Sequence, residues 1–162
     1  MSATLQLALD LGGALVARGL KAATAESCTG GLVAGAITDI AGSSAWFDRG
    51  FVTYSNEAKV ELLGVRPETL ARFGAVSEAT AREMVAGALE RSGADIAVAV
   101  TGIAGPAGGT AAKPVGLVWL AWGVRGGDVE VASRRFPGDR AAVREATVAF
   151  ALEGLIERAR HP

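Results

Sequence analysis

Three stretches of the 162-residue chain combine hydroxyl, charged and glycine residues at spacings that suit chemistry. The first is Glu26-Ser27-Cys28-Thr29-Gly30-Gly31. Glycines let the backbone turn tightly and come close to a ligand, and the free N–H groups of a following helix, beside small hydroxyls, suit an anion. The same residue types also serve as plain helix caps and turns, and spacing does not separate the two roles. A dinucleotide fingerprint is excluded, because Gly30-Gly31-Leu32-Val33-Ala34-Gly35 lacks the G-x-G opening. The second stretch is Thr101-Gly102-Ile103-Ala104-Gly105-Pro106-Ala107-Gly108-Gly109-Thr110, followed by Lys113-Pro114-Val115-Gly116. Without a Gly-Lys-Ser or Gly-Lys-Thr it is not a P-loop. Its four glycines in ten residues exceed what a simple connection needs, which favours a ligand-cradling loop.

The third stretch runs from Gly42-Ser43-Ser44 to Tyr54-Ser55-Asn56-Glu57-Ala58-Lys59. A serine hydroxyl is a weak nucleophile until a base takes its proton. The one histidine, His161, sits next to the C-terminus, so a Ser-His-Asp triad is not expected. A lysine whose pKa is lowered by burial can replace histidine. A tyrosine hydroxyl can relay the proton or steady an oxyanion. On spacing alone, Ser44, Tyr54 and Lys59 within 16 residues are ordinary, and a solvated Lys59 is the commoner fate. Ser27 is the second candidate nucleophile, whereas Cys28 reads as a small buried filler. Arg140 follows Pro137-Gly138-Asp139 at the start of the closing helix, with Arg134, Arg135 and Arg144 nearby in sequence. There it can fork onto a phosphate or carboxylate, or pair on the surface with Asp139 or Glu145.

The elements that must position these residues follow from hydrophobic periodicity and caps. Helices are expected at residues 3–20, with Thr4 as its cap, at 31–40, and around Lys59-Val60-Leu62-Leu63, capped by Ser55 or Asn56 and ended by Gly64. Two more are expected near Pro67 and from Ser77 to about Glu90, with a closing helix at 139–160. Strands are expected at 21–25, 46–54, 96–100, 115–124 and 129–136, the last two joined by the hairpin signal Arg125-Gly126-Gly127-Asp128. Alternating helices and strands with a late hairpin give an α/β fold: a single-domain layered α/β/α sandwich, residues 1–162, with a mixed, mostly parallel sheet. Ligands in such sheets favour loops beyond the carboxyl ends of strands, where both Gly-rich segments fall.

Composition narrows the function classes. Half of the residues are apolar, and 16 Lys plus Arg stand against 17 Asp plus Glu. That balance gives no broad attraction to nucleic acid or anionic lipid, so no nucleic-acid partner is expected. No apolar run is long enough to span a membrane, and no membrane partner is expected. One cysteine and no signal-peptide n-region point to a reducing compartment, the cytoplasm. One His and one Cys are too few for an ordinary zinc site, and an all-oxygen magnesium site stays open.

Together these stretches resemble the C-terminal domain of the competence-damage-inducible CinA proteins, the nicotinamide-nucleotide amidase family. The matching segments are AESCTGGLVAGAITDIAGSSAWFDRGFVTYSNEAKVELLGV, GAVSEATAREM and AVAVTGIAGPAGGTAAKPVGLVW, in the family's order and spacing. The resemblance implies hydrolysis of the carboxamide of nicotinamide mononucleotide to nicotinic acid mononucleotide and ammonia, in pyridine-nucleotide recycling. It implies no metal, no cofactor, a small-molecule nucleotide substrate and a homo-oligomer of two or more copies. Carried onto this sequence, it implies catalytic Ser44, Tyr54 and Lys59. It also implies substrate binding by Glu26, Ser27, Thr29, Gly30, Gly31, Thr101, Gly102 and Arg140. One departure is Ala107, where the family commonly has glycine; a positive φ there would cost alanine about 1 kcal/mol or more. Many members carry an additional N-terminal nucleotide-binding domain with no counterpart in these residues, and its activities are not carried over. The alternative readings are a non-catalytic pyridine-nucleotide sensor and an interaction protein of competence or DNA repair.

Overall fold

A computed structural model describes all 162 residues. Six helices and five strands alternate: α1 (Ala3–Arg18), β1 (Ala22–Glu26), α2 (Leu32–Thr38), β2 (Phe47–Val52), α3 (Asn56–Leu63), α4 (Pro67–Phe73), α5 (Glu78–Glu90), β3 (Ile96–Gly102), β4 (Leu117–Val124), β5 (Val129–Arg135) and α6 (Arg140–Arg160). A single 3-10 turn, Ser43–Ala45, precedes β2. The local signals act much as expected. Ser55, Ser77 and Asp139 each accept a hydrogen bond from the backbone N–H three residues on, capping α3, α5 and α6. For α1 the cap is Ser2, not Thr4, and the helix stops at Arg18 because Gly19 takes a left-handed φ of 65°.

The strands form one sheet in the order β2-β1-β3-β4-β5. β1 pairs in parallel with β2 and β3, β4 lies antiparallel to β3, and β5 antiparallel to β4, so four of the five strands point the same way. Helices cover both faces, giving the α/β/α sandwich. Because side chains alternate along a strand, each face has its own composition. The face beneath α1, α2 and α6 carries Ile96, Val98, Val100, Val118, Leu120 and Trp122. The face beneath α5 carries Ala23, Ala25, Ala97, Ala99 and Ala121, small enough for that helix to lie close.

The topology also fixes where a ligand belongs. From β1 the chain crosses through α2 to β2 on one side, then returns through α3–α5 to β3 on the other. The crossovers therefore part between β1 and β3. Outside the carboxyl ends of those strands lies the crevice that open α/β sheets use for ligands. Both glycine-rich segments, one after β1 and one after β3, open into it. No helix is long and apolar enough to cross a membrane.

Candidate active site

At the carboxyl end of β1 the backbone N–H of Ser27 still donates to Val100 of β3, at 3.0 Å, so the serine is held by the sheet. On the other side, Thr53 N–H donates to Glu26 O at 2.7 Å, which ties the chain leaving β2 to the same strand end. Ser55 then starts α3, whose fourth residue, Lys59, turns back over this junction. The result is a contact across 32 positions of sequence: Lys59 Nζ lies 2.9 Å from Ser27 Oγ. Lys59 is only 1% exposed. Its remaining contacts are the carbonyls of Thr53, at 2.9 Å, and Tyr54, at 3.3 Å, and it forms no ion pair with a carboxylate.

This surrounding favours the neutral form of the amine relative to a solvated lysine. Burial pushes the Lys59 ammonium below its ordinary value of 10.5, and the neighbouring Cys28 opposes that only in part. A neutral lysine amine has two N–H donors and one lone pair. Nζ stands as donor to the Thr53 and Tyr54 carbonyls and to Ser27 Oγ, and in the neutral amine the lone pair takes one of these three positions. The arrangement is a serine beside a desolvated amine that can take its proton.

Glu26 and Thr29, expected to touch substrate, have their side chains engaged inside the loop. The buried Glu26 carboxylate accepts from Thr29 Oγ1 at 2.5 Å and from the backbone N–H groups of Gly31, Val33 and Ala34 at 3.2, 2.9 and 3.0 Å. It caps the start of α2 from within and holds the Ser27 loop in shape. Gly30 and Gly31, at φ of 57° and 104°, supply the left-handed turn that this requires.

The second loop shows the same division. Thr101 Oγ1 donates to Ala75 O at 2.8 Å, joining β3 to the segment before α5. At Gly102 a Cβ would come within 2.6 Å of Val118 Cγ2, so glycine there serves the packing of β4. Arg140 does reach the crevice: it donates to Gly105 O and to the Tyr54 hydroxyl, both at 2.9 Å. Tyr54 remains 61% exposed, and this bridge links the β2–α3 turn, the glycine loop and α6 across the mouth of the site. Ala107 does not adopt positive φ; Gly105 and Gly108 do, at 84° and 94°, so the feared strain is absent.

Ser44 is not brought to Lys59. It is exposed in the 3-10 turn at the amino end of β2, while Lys59 lies past the carboxyl end. A six-residue strand spans about 20 Å, far beyond hydrogen-bond reach. Cys28 is buried, which pushes its thiol up to about 11 and leaves it poorly nucleophilic. Sequence reasoning gave Arg144 no role, yet it donates from α6 to Cys28 O at 3.1 Å and Thr29 O at 3.3 Å. Its separation of 116 positions from Cys28 leaves no local signal for that contact.

An α/β/α domain with a serine and a buried lysine at its switch point has close counterparts. The family model for the CinA C-terminal domain matches residues 4–159, and the chain belongs to that family. It is 57% identical over 154 residues to the nicotinamide-nucleotide amidohydrolase PncC of Escherichia coli strain K12, covering 95% of this chain and 93% of that protein. It is 58% identical over 148 residues to the protein of the same name from Enterobacter agglomerans, covering 91% and 90%. Among solved structures, the competence/damage inducible protein CihA of Agrobacterium tumefaciens superposes with a TM-score of 0.95 at 56% identity, covering 97% of this chain and 96% of that one.

Proposed function

We propose that this protein hydrolyses the carboxamide of nicotinamide mononucleotide, releasing ammonia and nicotinic acid mononucleotide, with Ser27 as nucleophile and Lys59 as base. The reaction would serve pyridine-nucleotide recycling. The observation that carries the mechanism is the 2.9 Å approach of Ser27 Oγ to a buried lysine with no carboxylate partner. The relatives named above supply the substrate class.

Lys59 Nζ takes the Ser27 proton while Oγ forms a bond to the carboxamide carbon, and the carbonyl π pair moves onto oxygen. As the tetrahedral intermediate collapses, the carbon–nitrogen bond breaks and the Lys59 ammonium gives its proton to the departing nitrogen, which leaves as ammonia. Water then attacks the acyl-enzyme with Lys59 again accepting the proton, and that proton returns to Ser27 Oγ as the acid is released. Arg140 offers a forked donor set to the phosphate, exchanging its bonds to Gly105 O and Tyr54 for substrate oxygens. The Tyr54 hydroxyl, freed by that exchange, can donate to the substrate.

The test is ammonia release from nicotinamide mononucleotide in the presence of a chelator, comparing wild type with Ser27→Ala and Ser44→Ala. Release by wild type and Ser44→Ala but not by Ser27→Ala is the expected pattern. Loss in Ser44→Ala with activity kept in Ser27→Ala would return the nucleophile to the other end of β2.

A further inference from the structure

Five backbone N–H groups near Ser27 divide into two sets with different fates. Those of Gly31, Val33 and Ala34 are consumed by the Glu26 carboxylate, together with the Thr29 hydroxyl. The N–H groups of Cys28 and Thr29, both in buried residues, donate to no other residue, and that of Cys28 faces its own thiol. They belong to a β-turn closed by Gly30 N–H donating to Ser27 O at 3.0 Å. In such a turn the central peptide, here Cys28–Thr29, is held by neither end of the closing bond. Turning it over would carry Thr29, the third residue of the turn, to a positive φ that a β-branched side chain resists. Thr29 is not at positive φ, so the backbone already favours one orientation that an outside contact can reinforce.

Arg144 acts on this peptide. Its Nε donates to Cys28 O and its Nη2 to Thr29 O. A trans peptide is planar, with C=O and N–H pointing in opposite directions. Holding the Cys28 carbonyl toward α6 therefore aims the Thr29 N–H away from α6. Arg144 has no carboxylate partner, so its charge is directed at these two carbonyls, and a charge-assisted bond to a carbonyl polarises the N–H of the same peptide. Gly30 leaves the space: a Cβ there would sit 3.4 Å from Arg144 Nη2.

We propose that Arg144 is a positioning residue that fixes and polarises the Cys28–Thr29 peptide, so that the Thr29 N–H stabilises the oxyanion formed when Ser27 attacks. The proposal rests on Ser27 being the nucleophile of the amidase. Arg144 does not touch the substrate; it acts through the peptide it holds. Removing one oxyanion donor outright lowers kcat by about 100- to 1,000-fold, and loosening a donor that stays in place has a smaller effect.

The experiment compares wild type, Arg144→Met and Arg144→Lys. For Arg144→Met, kcat is expected to fall roughly 10- to 50-fold with KM within about threefold, and Arg144→Lys, able to reach one carbonyl, falls between it and wild type. The discriminating probe is the 3-formylpyridine analogue of the nucleotide, whose aldehyde forms a hemiacetal with Ser27 and places an oxygen where the oxyanion develops. Its affinity should weaken in step with kcat/KM, while affinity for nicotinamide mononucleotide, measured in the Ser27→Ala background, stays level. Unchanged kcat and aldehyde affinity would overturn the proposal, as would a rise in KM alone, which would mean that the guanidinium binds substrate. Should Arg144→Met fail to fold, the Lys variant decides by the same readouts: full wild-type kcat and aldehyde affinity sink it. No ammonia release by wild type, or full release by Ser27→Ala, defeats the amidase reading whatever Arg144 does. An inactive Ser27→Ala beside fully active Arg144 variants defeats the positioning role alone.

Discussion

At the amino end of β2, Ser43 and Ser44 follow Gly42 in a short 3-10 turn, with Ser44 standing in solvent. At the carboxyl end, Thr53 and Tyr54 lead into the capped start of α3, and two of their carbonyls help to hold a lysine against Ser27. Both ends combine hydroxyls with a tight turn, and both lie in segments shared with the family. The difference is what converges on them. The amino end meets the start of β1 and the turn before β3, where Trp46 O accepts from Ala22 N–H and Asp48 accepts from Gly93 N–H, and neither contact brings a base to Ser44. The carboxyl end meets β1, β3 and the return of α3, which together exclude water from an amine and bring a hydroxyl to it. Depth and convergence, more than residue type, separate the surroundings of the two serines.

The sharpest way to break that comparison is to delete each serine in turn. Ser27→Ala should lower ammonia release by about 10⁴-fold or more, leaving only binding and oxyanion contacts. Ser44→Ala should stay within about twofold of wild type in the same assay. Equal losses would mean that both ends of β2 serve the reaction.

Lys59→Met should cut turnover by about 10³-fold or more while leaving the fold intact, since it replaces a buried amine with an apolar side chain of similar length. On the proposed mechanism the neutral amine is the working form, so kcat/KM should rise with pH and level off below the ordinary lysine value of 10.5. Stability carries a matching signature. The folded pKa lies below the unfolded one, so between the two the unfolded chain binds the additional proton and stability rises with pH across that window. Urea unfolding at stepped pH should show that rise in wild type and a flatter profile in Lys59→Met. A parallel rise in both would place its origin elsewhere.

Arg140→Ala should raise KM roughly 10- to 100-fold with a smaller change in kcat, because the lost interaction is a charge-assisted one to the phosphate. Nicotinamide riboside, which has no phosphate, should show little difference between wild type and this variant. Tyr54→Phe removes the hydroxyl that accepts from Arg140 and should lower kcat/KM by only about 3- to 30-fold. The smallest effect belongs to Cys28→Ala. Its thiol is buried and raised to about 11, so it should resist iodoacetamide at pH 8, and its removal should leave activity within a few-fold. Rapid labelling with loss of activity would show that the loop opens.

The sequence by itself determined what depends on residues a few positions apart. Caps at Ser55 and Ser77, the apolar face of α1, the buried run of β3 and the late hairpin are readable from periodicity and turn chemistry, because they depend on residues a few positions apart. The glycine segments after β1 and β3 were legible as more than simple connections, while spacing alone left Lys59 and Tyr54 ordinary and only the family resemblance singled them out. Tertiary structure alone decided the pairings. That Lys59 faces Ser27 and not Ser44 follows from β2 lying beside β1 in parallel, which separates the two ends of β2 and seats only one at the switch point. That the Glu26 and Thr29 side chains turn inward, and that Arg144 reaches across from α6 to the same loop, depends on helices packed on one face of the finished sheet. No local pattern encodes such contacts, since they form only when segments far apart in sequence bury their apolar faces together, and the loop's polar groups must then find partners within that enclosure.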